Sequence, residues 1–228
     1  MAVVAPTASA APVAPDAVCR DAATQASAES GVPLDVLLAI SLTETGRASD
    51  GATRTWPWTV NSEGKGFWFD THAEALAFAE GEAAGGTTSF DVGCFQINYR
   101  WHGENFASIA EMFEPVANAR YAARFLTDLY QELGDWSLAA GAYHSRTPQY
   151  ASRYRERFDS FRSRLANGDI APPAMGERYA SAEPLVRENN FPLLMSSSGT
   201  RSMNSLVPLG SAGARQPFLS STGVGALR

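Results

Sequence analysis

The spacing of apolar residues divides most of the chain into helices and then stops abruptly. A first helix is predicted from Asp16, a side chain suited to N-capping, to Gly31, a residue suited to a left-handed C-cap. A second opens at Val32-Pro33, with proline at the first helical position, where its missing N–H is no loss. Leu34, Leu37, Leu38, Ser41 and Leu42 recur along it at helical spacing, and it ends around Thr45-Gly46. The texture then changes. TWPWTVN and GKGFWFD are rich in aromatics and bracket Ser62-Glu63-Gly64, which predicts a small β-hairpin. Thr71 and Glu74 have the spacing of a capping box and open a third helix, which ends at Gly85-Gly86.

After a predicted loop, DVGCFQINYRWHG, the residues Phe106, Ile109 and Met112 mark a helical turn or two. Pro115 opens a long helix whose core face carries Ala119, Ala122, Ala123, Leu126 and Leu129. Asp135 caps WSLAAGAYHS, and Thr147-Pro148 starts a last helix that ends at Asn167-Gly168. The expected fold class is mainly α, a helical domain over residues 16–168 with one small β-hairpin. From Asp169 onward Ser, Gly, Pro and Ala predominate, and no periodic segment is long enough to bury a face. Ordering entropy would go uncompensated there, so residues 169–228 are expected to form a disordered tail. Its short apolar islands, such as Phe191-Pro192-Leu193-Leu194-Met195, suit docking to a protein partner. Residues 1–15 are an Ala/Pro-rich leader without a positively charged start. Ala8-Ser9-Ala10 fits a small-x-small cleavage site, so the remnant of a signal peptide and a plain Ala/Pro leader are both open readings.

Composition removes several function classes. The formal net charge is −6 and the sequence pI is near 5.1, so no basic face is available to neutralise phosphates, and nucleic acid is not an expected partner. Arg153, Arg155, Arg157, Arg162 and Arg164 are interleaved with Glu156 and Asp159, which reads as a solvated helix face. No apolar run is long enough for a transmembrane segment. His72, His102 and His144 lack metal-ligand spacing, and neither a metal nor a cofactor is expected. Cys19 and Cys94 are too few for a metal cluster. They are either two buried thiols or, in an oxidising compartment, a disulfide closing a long loop.

The candidate chemistry starts at Glu44. It lies four residues after Ile40 and seven after Leu37, near the apolar stripe of the second helix and at its C-terminal end. Desolvation and the negative end of the helix dipole both disfavour a carboxylate there, which raises its pKa. A general acid needs that to hold a proton near neutrality. Arg47 would act in the opposite sense if it paired with Glu44.

Three segments in order give Glu44 its context: Glu44-Thr45-Gly46, then Gly93-Cys94-Phe95-Gln96-Ile97-Asn98, then Ala142-Tyr143. They resemble the E-S, G-L-M-Q-[IL] and A-Y-N-A-G motifs of the soluble lytic transglycosylase family, and PVANARYAARFL resembles the helix between the last two. The resemblance runs from about Cys19 to Phe158 and implies a lysozyme-like helical fold with a groove for peptidoglycan glycan strands. It implies that Glu44 is the sole catalytic acid and base, with Thr45 in place of the family serine. Gln96 takes the position of the substrate-contacting Gln, and Phe95 stands where a Met sits against the sugar. Ile97 and Asn98 complete that candidate substrate-binding segment, and Tyr143 is expected to hydrogen-bond near Glu44 or the scissile sugar. His144-Ser145-Arg146 departs from the usual Asn-Ala-Gly, so no sugar contact is carried over to His144.

The chemistry implied is cleavage of the β-1,4 bond between N-acetylmuramic acid and N-acetylglucosamine, leaving a 1,6-anhydro end. Glycosidases generally use two carboxylates. Asp50, Glu63, Asp70 and Asp91 fall in predicted loops, and no pattern marks any of them as a partner to Glu44. Two alternatives stand beside this reading: a hydrolytic muramidase of goose-type lysozyme kind, and a non-catalytic wall-binding assembly module. A periplasmic or otherwise exported protein is expected; its role stays open between wall turnover, a flagellum, a secretion or conjugation machine and a phage, and a tail of this kind fits docking to a component of a wall-spanning machine.

Overall fold

The computed structural model describes residues 14–49 and 51–170, together with the backbone of Val186 and Arg187. In chain order the elements are α1 (Pro15–Ser30), α2 (Leu34–Thr45), β1 (Arg47–Ser49), β2 (Ala52–Arg54), β3 (Thr59–Ser62), β4 (Lys65–Trp68) and α3 (His72–Ala84). Then follow β5 (Phe90–Val92), β6 (Ile97–Asn98), α4 (Tyr99–His102), a 3-10 turn, α5 (Ile109–Phe113), α6 (Pro115–Leu133), α7 (Trp136–His144), α8 (Pro148–Ala166) and β7 (Val186–Arg187). The mainly helical architecture expected from the apolar spacing is the one observed.

Helix α2 explains the arrangement. Val36, Leu37, Ala39, Ile40, Ser41 and Leu42 are all buried, so the helix is covered almost all round rather than along one stripe. Helices α1, α6 and α8 pack on it, and α7 lies between α6 and α8. Ala22, Ala23 and Ala26 of α1 and Ala119, Ala122 and Ala123 of α6 are buried where those two helices meet, and side chains this small let the backbones approach closely. Several ends form as the sequence dictates. Gly31 closes α1 in the left-handed conformation at φ 77°. Thr71 and Glu74 form the reciprocal capping box of α3, and Asp135 accepts from the Leu138 N–H at the start of α7.

Strands β3 and β4 are the expected hairpin, turning at Glu63 and Gly64, both at positive φ, as a tight primed turn requires. The hairpin packs on α3, where the rings of Phe67 and Phe69 lie 4.5 and 5.2 Å from Phe78. Its Trp56 is buried, with the indole N–H donating to the Phe69 carbonyl at 2.7 Å. The sheet is larger than expected, with strand order β6-β5-β3-β4-β7. The predicted loop after Gly86 contains β5, β6 and α4, because its apolar residues Phe90, Val92 and Ile97 are buried on the sheet. The β1–β2 hairpin was also not predicted. The four missed strands are runs of three residues or fewer, too short for alternation to register.

Two further expectations are corrected. Asp16 is not the N-cap of α1: Ala14 holds that position with Pro15 at N1, and Asp16 lies in the first turn, 3.6 Å from the Arg54 guanidinium. Helix α2 starts at Leu34, with Pro33 as its N-cap rather than its first residue. In the stretch expected to be an unstructured tail, Val186 and Arg187 pair antiparallel with Phe67 and Gly66 at the free edge of β4. Residues 1–13, 171–185 and 188–228, which include the cleavage-site pattern and the island at 191–195, lie outside the described residues.

Cys19 of α1 and Cys94 form a disulfide with Cα atoms 5.5 Å apart across 75 residues of sequence, so the paired alternative holds. In the chain-entropy picture, closing a loop of that length limits the unfolded ensemble by about 4.5 kcal/mol. The double variant Cys19→Ala/Cys94→Ala is therefore expected to lose up to about 4 kcal/mol of unfolding free energy, measured by urea titration under non-reducing conditions. An unchanged midpoint would show that the bridge adds nothing.

Candidate active site

Glu44 is the penultimate residue of α2, and it is partly rather than fully buried. Its Oε1 accepts a 2.7 Å hydrogen bond from the Tyr154 hydroxyl on α8. Burial of the carboxyl dominates its ionisation, and the negative charge of Asp91 on β5 adds to it. Tyr154 and the Arg157 guanidinium oppose, and the balance leaves the pKa at about 8. Arg157 is held close by its own bond, Nη2 to the Thr43 carbonyl at 2.8 Å. Arg47, the cation nearest in sequence, instead lies over the Trp56 ring with its guanidinium carbon 4.7 Å from the centroid. Helix α2 stops immediately beyond Glu44 because the chain passes tightly over its last turn. A Cβ on Gly46 would sit 2.2 Å from the Leu42 carbonyl oxygen and 3.2 Å from Thr53.

The segment from Gly93 to Gln96 lies buried beside α2 and is irregular, so its backbone polar groups need partners from elsewhere. Four elements supply them. Ser41 of α2 donates to the Cys94 carbonyl at 3.0 Å. Asn118 of α6 accepts from the Phe95 N–H at 2.9 Å and donates to the Val92 and Met112 carbonyls. Tyr143 of α7 donates to the Phe95 carbonyl at 2.8 Å. The Thr59 carbonyl on β3 accepts from both the Gly93 N–H and Gln96 Nε2. Gly93 is at φ 79° and a Cβ there would meet the Asn118 amide at 2.9 Å, so only glycine fits.

A family comparison can now be set against this geometry. The model described as the transglycosylase SLT domain matches residues 21–160. The chain belongs to that family. No curated protein and no solved structure matches it. The span covers the helices that carry Glu44, Tyr143 and Tyr154 and the segment at Gly93. Membership supports a peptidoglycan-directed activity of lytic transglycosylase type, and places the protein's work at the cell wall.

Within this SLT domain the sequence-predicted residues divide by what their side chains do. Gln96 sits at φ 46° and spends its Nε2 on the Gly93 and Thr59 carbonyls. Phe95 and Ile97 are 0% exposed and belong to the core cluster, so a sugar does not reach either side chain in this conformation. Asn98 caps α4 and donates to Asp91 at 2.9 Å. The Thr45 hydroxyl donates to the Ser41 carbonyl and accepts from the Trp56 N–H, bonds that bind α2 to the strands rather than to Glu44. Tyr143 bonds to the Phe95 backbone, while the tyrosine on Glu44 is Tyr154, which the sequence reading did not single out. A signal existed: Tyr154 and Phe158 are the buried residues of α8, four apart, and a polar-tipped aromatic in a buried stripe needs a partner. His102 is also buried, 2.6 Å from the Tyr121 hydroxyl. A cleft of about 410 Å³ lined by Tyr99, Arg100, Gly103, Phe106 and Ile109 includes none of Glu44's partners.

The raised pKa has a consequence for stability. Between the ordinary carboxyl value of 4.5 and about 8, folded Glu44 holds a proton that the unfolded chain has released. Folding therefore loses stability from this group as pH rises through that window, by at most about 1.4 kcal/mol per pH unit. Glu44→Gln removes the titration, so its stability relative to the parent should grow from pH 5 to pH 8 and level off above. A difference that stays flat with pH, in parallel denaturant titrations, would contradict a raised pKa.

Proposed function

We propose that the domain cleaves the β-1,4 bond between N-acetylmuramic acid and N-acetylglucosamine in peptidoglycan, with Glu44 acting first as acid and then as base. The observation that carries this is the Glu44 carboxyl itself, partly open to solvent, desolvated enough to keep its proton up to about pH 8, and bonded to Tyr154. The protonated Glu44 donates to the leaving glycosidic oxygen. The substrate's own N-acetyl group stabilises the positive anomeric carbon, so no nucleophilic carboxylate is required. The resulting Glu44 carboxylate, steadied by the Tyr154 hydroxyl, removes the proton of the muramic C6 hydroxyl. That oxygen attacks the anomeric carbon, closing a 1,6-anhydro ring without consuming water. Gln96, Phe95, Ile97, Asn98 and Thr45 then serve substrate binding by fixing the wall of the site rather than through each side chain touching sugar.

Asp91 favours a second reading. It is a buried carboxylate on β5 whose charge acts on Glu44, and in inverting glycosidases a second carboxylate activates the attacking water. Hydrolysis would leave reducing muramic ends in place of anhydro ends. The disulfide supports export to an oxidising compartment such as the periplasm, because such bridges persist there and are rare in the cytosol. No helix among the described residues is long and apolar enough to cross a membrane.

Two experiments test the reading. Muropeptides released from purified sacculi should carry anhydro ends by mass spectrometry, and Glu44→Gln should reduce their release at least a hundredfold with the fold intact. The acid must be protonated, so kcat/KM should fall as pH rises through about 8. Full activity in Glu44→Gln would refute Glu44 as the acid, no release by the parent protein would leave a non-catalytic wall-binding role, and reducing ends would favour the Asp91-assisted hydrolysis. The catalytic unit is proposed to be residues 16–168, with the tail docking a protein partner. Truncation after Gly168 should then leave a cleaving enzyme melting within about 4 °C of the full chain, since the described tail contacts are small: a two-residue strand pair, the Asp169 N–H bond to the Arg164 carbonyl, and the partly buried Ile170. Loss of cleavage or of the folded state would place essential structure in the tail.

A further inference from the structure

Where the family pattern has Asn after the motif tyrosine, this chain has His144. It is the last residue of α7 and 5% exposed. Its ring lies flat on the ring of Tyr154, with centroids 4.7 Å apart and planes 9° from parallel. Tyr154 is in turn the hydroxyl donor to Glu44 Oε1. A tyrosine ring turns softly about its last torsion, and the phenolic O–H prefers the ring plane, so the neighbours that set the plane also set where the hydroxyl hydrogen points. A flat aromatic partner fixes that plane and contributes offset stacking, and an asparagine side chain offers no such surface.

From this geometry we infer that His144 is a positioning residue: through the stacked Tyr154 ring it keeps the tyrosine hydroxyl on Glu44 and so controls how readily the Glu44 carboxylate forms. The inference rests on the reading of Glu44 as the acid and base. Burial first, and then the Arg157 guanidinium, holds the His144 pKa down at about 4, so the imidazole is neutral at higher pH and brings no cation to the site. The charged and titratable groups around Glu44 are Tyr154 and Arg157 from α8 and Asp91 from β5, with Tyr143 of α7 within reach of its charge. Substitution at position 144 leaves Asp91, Arg157 and Tyr143 in place. A change in Glu44 ionisation would therefore be traceable to the aim of Tyr154. That bond lowers the Glu44 pKa, so losing it raises the pKa and slows the first half of the reaction, in which Glu44 must give up its proton and become a carboxylate.

The test uses the full chain and reads Glu44 directly, by 13C NMR titration of labelled glutamate carboxyls, assigned by difference from Glu44→Gln. His144→Ala, His144→Asn and Tyr154→Phe should each move the Glu44 midpoint upward, whereas His144→Phe, which keeps the stack, should stay near the parent. On sacculi, kcat of His144→Asn should fall about tenfold with KM little changed, the loss expected of one weakened bond to a charged group. The double variant His144→Ala/Tyr154→Phe should be no slower than Tyr154→Phe alone, because both changes remove the same interaction. Losses that multiply, or an unmoved midpoint in His144→Ala, would overturn the inference. If His144→Ala does not fold, equal midpoints in His144→Phe and His144→Asn overturn it as well. The titration needs no substrate, so failed catalysis would refute the acid assignment without touching the coupling of His144 to Glu44.

Discussion

The structure depends on making an irregular segment, Gly93 to Gln96, habitable in the interior. Regular elements satisfy their own backbone, but this one borrows partners from α2, α6, α7 and β3, and the disulfide adds α1. Leaving one such buried group unsatisfied costs on the order of 1–3 kcal/mol, so each lender is constrained in identity as well as position. Asn118 shows this best: its amide donates twice and accepts once, a combination that no apolar residue of similar size provides. The positive φ of Gln96 is a strained backbone state that persists because its side chain and both flanks are fixed. Elements far apart in sequence are thereby registered against one another, and Glu44, three residues beyond Ser41 on α2, is registered with them.

In the proposed reaction two opposing requirements meet at Glu44. An acid needs desolvation to keep its proton, yet once the proton is given up the carboxylate must be tolerated long enough to act as a base. Burial and Asp91 serve the first need; Tyr154 and Arg157 serve the second. Had Arg47 been close enough to pair directly, the carboxylate form would have been favoured throughout. Its place on the Trp56 ring keeps a full charge out of the site at little cost, since guanidinium stacks well on indole.

Much of this was legible in the sequence, for identifiable reasons. The helices could be read because their apolar spacing runs over several turns and their ends carry chemically specific residues, such as Gly31, the Thr71–Glu74 pair and Asp135. The β3–β4 hairpin could be read from its aromatics and its Ser62-Glu63-Gly64 turn. Strands β1, β2, β5 and β6 could not, because runs so short take their conformation from the sheet they join rather than from their own pattern. Glu44 lies near an apolar stripe, but it is the three motifs in order, Glu44-Thr45-Gly46, Gly93 to Asn98 and Ala142-Tyr143, that single it out. Tyr154 is not singled out, because its bond to Glu44 is a contact across 110 residues, and nothing in its own neighbourhood encodes the partner. The same limit applies to Tyr143, whose bond goes to the Phe95 carbonyl: a motif fixes residue identity, while the partner is set by packing.

The two tyrosines show how one site separates structure from chemistry. Both are fully buried or nearly so, and in both burial first and the Glu44 charge next push the phenol pKa well above its usual value. Each therefore remains an O–H donor throughout the working range. Tyr143 directs that donor to a backbone carbonyl, where nothing titrates and the bond serves only to hold the segment. Tyr154 directs it to Oε1 of Glu44, where the bond strengthens whenever the proton leaves. His144 is kept neutral from the other side by burial and Arg157. With both phenols locked protonated and the imidazole locked neutral, proton traffic among Glu44 and these three neighbours falls to Glu44 alone. In the proposed reaction this is what lets a single carboxylate serve as acid and base in turn, because its neighbours stabilise each form without competing for the proton.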